Sequence, residues 1–120
     1  TFAKNNVIDL TVIGPEAPLV AGIVDTFTSA GLIAVGPSRA AAQLEGSKAY
    51  TKEILRECRV PTGDFETFDT PGKALKALRR KTFPLVVKAD GLAAGKGVII
   101  AENQAEAENA IKIIMENKTF

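Results

Sequence analysis

Two apolar runs, each closed by Gly-Pro and separated by a stretch of helical spacing, constrain the first third of this chain more than any other feature. Val7-Ile8-Asp9-Leu10-Thr11-Val12-Ile13 reads as a largely buried strand closed by Gly14-Pro15, and Ile33 to Val35 as a second strand closed by Gly36-Pro37. Between them, Pro18 to Ala30 carries apolar residues at helical intervals. Pro18 suits a first helical position and Gly31 the residue just past the end. Strand, helix and strand in this order predict a right-handed parallel unit, one piece of a doubly wound sheet. Ligands of such sheets bind at the carboxyl ends of the strands, where Gly14-Pro15-Glu16-Ala17-Pro18-Leu19 lies. Glu16 there either accepts hydrogen bonds from a ligand or complements the start of the helix.

From Ser38 the texture changes to an Ala-rich helix, interrupted at Gly46 and restarted by Ser47, which suits the N-cap of a helix running to about Cys58. Arg59 to Asp64, with Pro61 and Gly63, reads as a connector. Beyond it the pattern predicts a strand over Phe65–Phe68, a helix over Pro71–Arg80, strands over Leu85–Ala89 and Val98–Ala101, and a helix over Gln104–Glu116. The fold class expected is therefore α/β in the first part and α+β in the second. The chain opens on Thr1-Phe2-Ala3 and stops at Lys118-Thr119-Phe120 directly after a helix-like stretch, as a segment of something longer would.

Charge and residue types narrow the chemistry. Fifteen Lys and Arg stand against 14 Asp and Glu, so the overall balance draws the chain to neither nucleic acid nor an anionic membrane, and any positive site must be local. There is no His, which excludes a histidine triad, a histidine base and histidine metal ligation from these residues. Cys58 is the single cysteine and fits a small core residue in a reducing compartment better than a nucleophile. No apolar run approaches the roughly 20 residues that span a bilayer, and the start lacks a secretory pattern, so a cytoplasmic location is expected. Chemistry here must rest on Lys, Asp, Glu and backbone.

The most distinctive stretch is Pro84-Leu-Val-Val-Lys-Ala-Asp-Gly-Leu-Ala-Ala-Gly-Lys-Gly-Val-Ile-Ile-Ala101, two apolar strands joined by a loop with three glycines and Lys96. The loop is longer and more apolar than a tight hairpin requires. Small residues let backbone N–H groups approach an anion, and Lys96 adds charge, which suits nucleotide phosphates; a flexible hairpin tip is the plainer alternative. A P-loop is ruled out, because three residues separate Gly91 from Gly95, a Gly follows Lys96, and a strand comes next. Lys88 follows Leu85-Val86-Val87 within a strand, where burial is costly unless an anion meets it, whereas a solvent-facing lysine would be ordinary. Lys48 sits in the first turn of its helix, where the macrodipole disfavours a cation, a hint of function against the plainer reading of a solvated lysine paired with a neighbour such as Glu45.

Taken together, Val12-Ile-Gly-Pro-Glu-Ala-Pro-Leu-Val-Ala-Gly-Ile23, Gly36-Pro37-Ser38, Ala41-Ala-Gln-Leu-Glu-Gly-Ser-Lys48 and Val86-Val-Lys-Ala-Asp-Gly-Leu-Ala-Ala-Gly-Lys-Gly-Val98 resemble the phosphoribosylamine–glycine ligase family of ATP-grasp enzymes. The resemblance covers almost the whole chain. It implies a pre-ATP-grasp domain, part of a doubly wound parallel sheet, ending near residue 37. Connecting helices over 38–64 and the α+β small subdomain of an ATP-grasp fold over 65–120 would follow. It implies that Lys48 and Lys88 face ATP phosphates, with Lys88 catalytic, and that Gly91, Gly95, Lys96 and Gly97 belong to a mobile loop over the triphosphate. Glu16, Pro18 and Leu19 would lie beside the phosphoribosylamine site.

The family reaction joins glycine to 5-phosphoribosylamine, cleaving ATP to ADP and phosphate by way of a glycyl phosphate, in purine biosynthesis. The resemblance also implies Mg²⁺ held by residues outside this segment, none within it, and an isolated segment without activity. A nucleotide-binding module without chemistry, or another ATP-grasp ligase, are the alternatives, the latter disfavoured by the GPEAPL run.

Overall fold

A computed structural model describes residues 2–93 and 96–117. The chain divides after Pro61 into two compact units.

In the first unit, helix α1 (Phe2–Asn5) leads into strand β1 (Thr11–Val12), which pairs in parallel with β2 (Ala34–Val35). Thr11 stands opposite Ala34 and Val12 opposite Val35. The ladder is flanked by two further bonds: Thr11 N–H donates to the Ile33 carbonyl at 3.0 Å and Ile13 N–H to that of Val35 at 3.1 Å. The strand expected over Val7–Ile13 is thus confined to its last residues. Ile8 N–H donates back to the Ala3 carbonyl and Val7 N–H to that of Lys4, so the α1 turn consumes donors that a longer strand would use. Val7, at φ 49°, turns the chain out of that helix.

The single helix expected over Pro18–Ala30 is two. Helix α2 (Glu16–Ala21) ends at Gly22, whose φ of 90° lies in the left-handed region, and α3 (Ile23–Ser29) starts at once. Pro18 is the third helical residue, tolerated because first-turn N–H groups have no partner inside the helix. Gly31, at φ 71°, follows the end of α3 as expected. Helices α4 (Arg39–Gly46) and α5 (Lys48–Glu57) also follow the sequence reading. The Ser38 hydroxyl accepts from Ala41 N–H at 3.3 Å, and the Ser47 hydroxyl accepts from Tyr50 N–H at 3.1 Å. Asp25 provides a second cap on α4, its carboxylate accepting from Arg39 N–H at 2.6 Å. Cys58 lies past the last residue of α5 and is exposed, not in the core as expected.

In the second unit, α6 (Pro71–Leu78) precedes an antiparallel hairpin of β3 (Leu85–Lys88) and β4 (Val98–Ala101), and α7 (Gln104–Ile111) runs on into a wider π-helical turn, Lys112–Glu116. Asn103 caps α7, accepting from Glu106 N–H at 3.0 Å, while the Glu106 carboxylate reaches back to Glu102 N–H at 2.9 Å. Ala74 and Leu78 of α6, Ala107 and Ile111 of α7 and Ala101 of β4 form the core, with Phe68, Leu85 and Val87 packed against it. Residues 65–68, expected as a strand, make no ladder. The apolar pattern there serves burial: Phe68 anchors an extended connector onto the core.

The architecture is α/β with a parallel strand pair in the first unit and α+β with an antiparallel pair under two helices in the second. Among the described residues no helix is long and apolar enough to cross a membrane.

Candidate functional site

Strand alternation gives the hairpin two unlike faces. Leu85, Val87, Ile99 and Ala101 face α6 and α7, whereas Val86, Lys88, Val98 and Ile100 share the other face. That second face has no covering element within the unit: Val86 is 49%, Val98 44% and Ile100 64% exposed. Lys88 closes β3 opposite Val98, so a cation stands at the loop end of an open apolar surface. It is solvent-facing. The burial cost raised from the sequence does not arise within this unit, and among the described residues no ion pair involves it.

The glycine loop grows directly from this edge. Ala89 N–H donates to the Gly97 carbonyl at 2.7 Å, carrying the ladder one step past β3, and Lys96 N–H donates to the Ala93 carbonyl at 2.8 Å. Gly97 is buried because the loop folds over it. A Cβ there would lie 2.8 Å from the Ala93 Cβ and 2.9 Å from the Ala89 Cβ. Gly91 faces open space but has φ 92°, a conformation that disfavours any side chain. Lys96 is exposed. Gly95 lies outside the described residues. The second unit therefore brings Lys88, Gly91, Lys96 and Gly97 to one end of the hairpin.

In the first unit, the turns Gly14-Pro15-Glu16 and Gly36-Pro37-Ser38 leave neighbouring strands at the same edge of the parallel pair, and α2 and α4 start from them. Glu16 is the first residue of α2 and exposed; Pro18 and Leu19 are half-buried. Leu19 packs under the second turn, so closely that a Cβ on Gly36 would lie 2.7 Å from its Cδ2 and 3.0 Å from Val24 Cγ2. Lys48 is the first residue of α5 and half-buried, beside the Ser47 cap. Glu16 and Lys48 thus belong to the first unit and Lys88 to the second.

Sequence reasoning missed the open apolar face of the hairpin. Val86 and Val87 are alike in type, and only the register separates the covered residue from the open one. It also missed Gly36, whose adjacency to a proline suggested a turn but not a close approach. Among the described residues no three metal-ligating side chains come together.

Comparison with known proteins divides the chain earlier than the compact units do, before α5 and Lys48. Residues 1–45 match the phosphoribosylglycinamide synthetase N domain, and residues 46–120 match the phosphoribosylglycinamide synthetase ATP-grasp (A) domain. The chain is 54% identical over 119 residues to the phosphoribosylamine–glycine ligase of Escherichia coli K12, and 55% identical to that of Pasteurella multocida. Each alignment covers 99% of this chain and 28% of the relative, so the chain spans just over a quarter of the length of these proteins.

Among solved structures, phosphoribosylamine–glycine ligase from Thermotoga maritima superposes with a TM-score of 0.63 and 39% identity over 68% of this chain and 21% of that one. The biotin carboxylase domain of Hydrogenobacter thermophilus 2-oxoglutarate carboxylase, solved with MgADP, ADP and bicarbonate, superposes with a TM-score of 0.74 over 94% of this chain and 27% of its own. At 23% identity that likeness shows a common fold. With both domain matches in chain order and over half the residues identical to curated ligases, the chain belongs to the phosphoribosylglycinamide synthetase family.

Proposed function

We propose that this chain supplies the nucleotide-phosphate side of a ligase that joins glycine to 5-phosphoribosylamine, cleaving ATP to ADP and phosphate through a glycyl phosphate. The observation that carries the reading is Lys88 at the loop end of an open apolar strand face, adjoining a glycine-rich loop that carries a second exposed cation, Lys96. An apolar sheet face suits a flat heteroaromatic base, and a cation beside a loop of small residues suits the phosphates attached to it.

In this reading Lys88 is the catalytic residue. It holds the oxygens of the phosphoryl group as that group leaves ADP for the glycine carboxylate, where developing charge must be met by fixed donors. The loop from Gly91 to Gly97, with Gly95 and Lys96, folds over the triphosphate and excludes water from a hydrolysable acyl phosphate. Lys48 adds a second cation from the start of α5. The amine of 5-phosphoribosylamine then attacks the acyl carbon, expelling phosphate. Glu16, Pro18 and Leu19 border its site, Glu16 by its carboxylate and Leu19 by fixing the Gly36 turn. Bound Mg²⁺ would supply charge neutralisation to the phosphates. Its ligands are assigned outside these residues.

The domain division proposed is a substrate-binding part to residue 37, connecting helices over 38–64 and an ATP-grasp small subdomain from 65. We place the protein in the cytoplasm, where its small-molecule substrates occur. The test is ATP titration of the full-length protein and its Lys88→Ala variant. A severe loss of ATP affinity or turnover with unchanged circular dichroism supports the assignment; near-normal steady-state kinetics removes it.

A further inference from the structure

The near balance of charge in the whole chain conceals a local excess. From Pro71 to Lys81 there are five cations, Lys73, Lys76, Arg79, Arg80 and Lys81, and no acid. Positions 73, 76 and 80 recur at helical spacing, alongside the buried stripe of Ala74, Ala77 and Leu78, so the cations form a ridge beside the face that holds α6 to the core. Cations at a helix end complement its dipole, which accounts for one or two of them. Two others are neutralised: Lys73 pairs with Asp69 at 2.7 Å and Lys81 pairs with Glu66. Glu66 also feels the charge of the neighbouring Arg80. Among the described residues Lys76, Arg79 and Arg80 have no ion pair.

The ridge is also one wall of a concavity. The extended connector crosses beside α6, and Thr67 and Phe68 close an open groove of about 700 Å³ whose other lining includes Lys73, Lys76, Arg79 and Arg80. Phe68 packs on the core, which gives this wall a fixed position. The groove lies on the helical side of the second unit, across the hairpin from Lys88, so it is separate from the proposed ATP phosphate site.

We infer that this groove binds a small phosphate-bearing anion, through Lys76, Arg79 and Arg80 with Thr67 at its rim. Guanidinium groups engage phosphate bidentately, and Lys76 in the last turn of α6, with Arg79 and Arg80 just past its end, presents cations from three neighbouring positions to one groove. A volume in the hundreds of Å³ is of small-ligand size. A nucleic-acid strand would need a longer basic track than one turn, and the rest of the chain is balanced in charge.

The experiment uses the full-length protein with inorganic tripolyphosphate as the probe. Binding is followed by titration calorimetry and by the NMR signals of ¹⁵N-labelled arginine side chains. Lys76→Ala combined with Arg80→Ala should weaken binding at this site by about tenfold or more, steepest at low salt, while Lys76→Arg with Arg80→Lys retains it. Lys88→Ala should leave the arginine shifts on titration unchanged, which separates this site from the nucleotide site. The inference is overturned if the double alanine variant binds as tightly as the parent, or if chloride of matched ionic strength reproduces the shifts. It is equally overturned if a single-stranded oligonucleotide binds more tightly than tripolyphosphate at equal phosphate concentration.

Discussion

Replacing Gly97 by Ala should open the base of the glycine loop, and the structure sets the size of the effect. The new Cβ would stand 2.8 Å from the Ala93 Cβ and 2.9 Å from the Ala89 Cβ, both well inside ordinary contact. Neither neighbour is the end of a flexible side chain, so relief requires backbone movement. Overpacking of this kind costs about 1–3 kcal/mol. The backbone N–H of Ala89 reports it directly, because its bond to the Gly97 carbonyl is 2.7 Å long and belongs to the displaced residue.

Native-state amide exchange of Ala89 in the full-length protein should therefore quicken by roughly 5- to 150-fold, the same cost expressed as an opening equilibrium. Adding Ala93→Gly removes one of the two collisions and should restore part of the protection. Gly91→Ala provides the contrast. Nothing lies within 4 Å of its Cβ position, but φ is 92°, so its cost of about 1–2 kcal/mol is conformational and Ala93→Gly should not relieve it. Gly63→Ala, with open space and no positive φ, should leave the Ala89 amide unaffected. Unchanged Ala89 exchange in Gly97→Ala, or equal rescue of Gly91→Ala and Gly97→Ala, would refute the packing described here.

Ser47→Ala should cost about 1 kcal/mol, read as a lower urea midpoint, because the Ser47 hydroxyl caps the helix that begins with Lys48. Lys88→Ala should leave the melting temperature nearly unchanged, since its exposed side chain contributes charge and not packing; a loss of several degrees would assign it a structural role. A hydrogen bond from Lys81, with Coulombic help from Lys81 and Arg80, holds the Glu66 carboxyl below its usual 4.5, and one from Lys73 holds Asp69 below its usual 3.8. Depressed carboxylate values add stability above the usual pKa and lose it as pH falls through the lowered one. Lys73→Met with Lys81→Met should thus lose less stability than the parent on acidification below pH 4.5, the two curves converging in acid. Parallel curves would contradict those pairings.

Much of this arrangement was legible in the sequence, and the failures have physical causes. Ser47 marked the start of α5 because a hydroxyl before an apolar-periodic run satisfies a free helix N–H, a local bond that needs no tertiary partner. Val98–Ala101 was legible to the residue because its run is bounded by glycine on one side and by Glu102-Asn103 on the other. Val7–Ile13 misled because β-branched composition is only a preference, and the α1 turn took the donors first. Phe65–Phe68 misled for a related reason: an apolar pair can serve to anchor a connector as well as to build a ladder, and pairing is a non-local fact.

Gly22 was read as an ordinary helical residue, whereas its left-handed φ splits the helix, something a residue with no side chain does not announce. At the candidate site, Lys88 and the loop glycines were visible as types, with their roles left open. The separation of Val86 from Val87 by face, and the closeness of Gly97 to Ala89 and Ala93, depend on register and loop path, which no local pattern encodes.

The central claim is that Lys88 and its loop serve phosphoryl transfer to glycine. The most direct measurement is ADP formation by the full-length protein with ATP, Mg²⁺, glycine and 5-phosphoribosylamine, each acceptor omitted in turn, for the parent and for Lys88→Ala. ADP release that requires glycine and 5-phosphoribosylamine and falls by orders of magnitude in Lys88→Ala, with fold intact, is the result predicted. ADP release independent of glycine, or undiminished without the Lys88 ammonium, would contradict it.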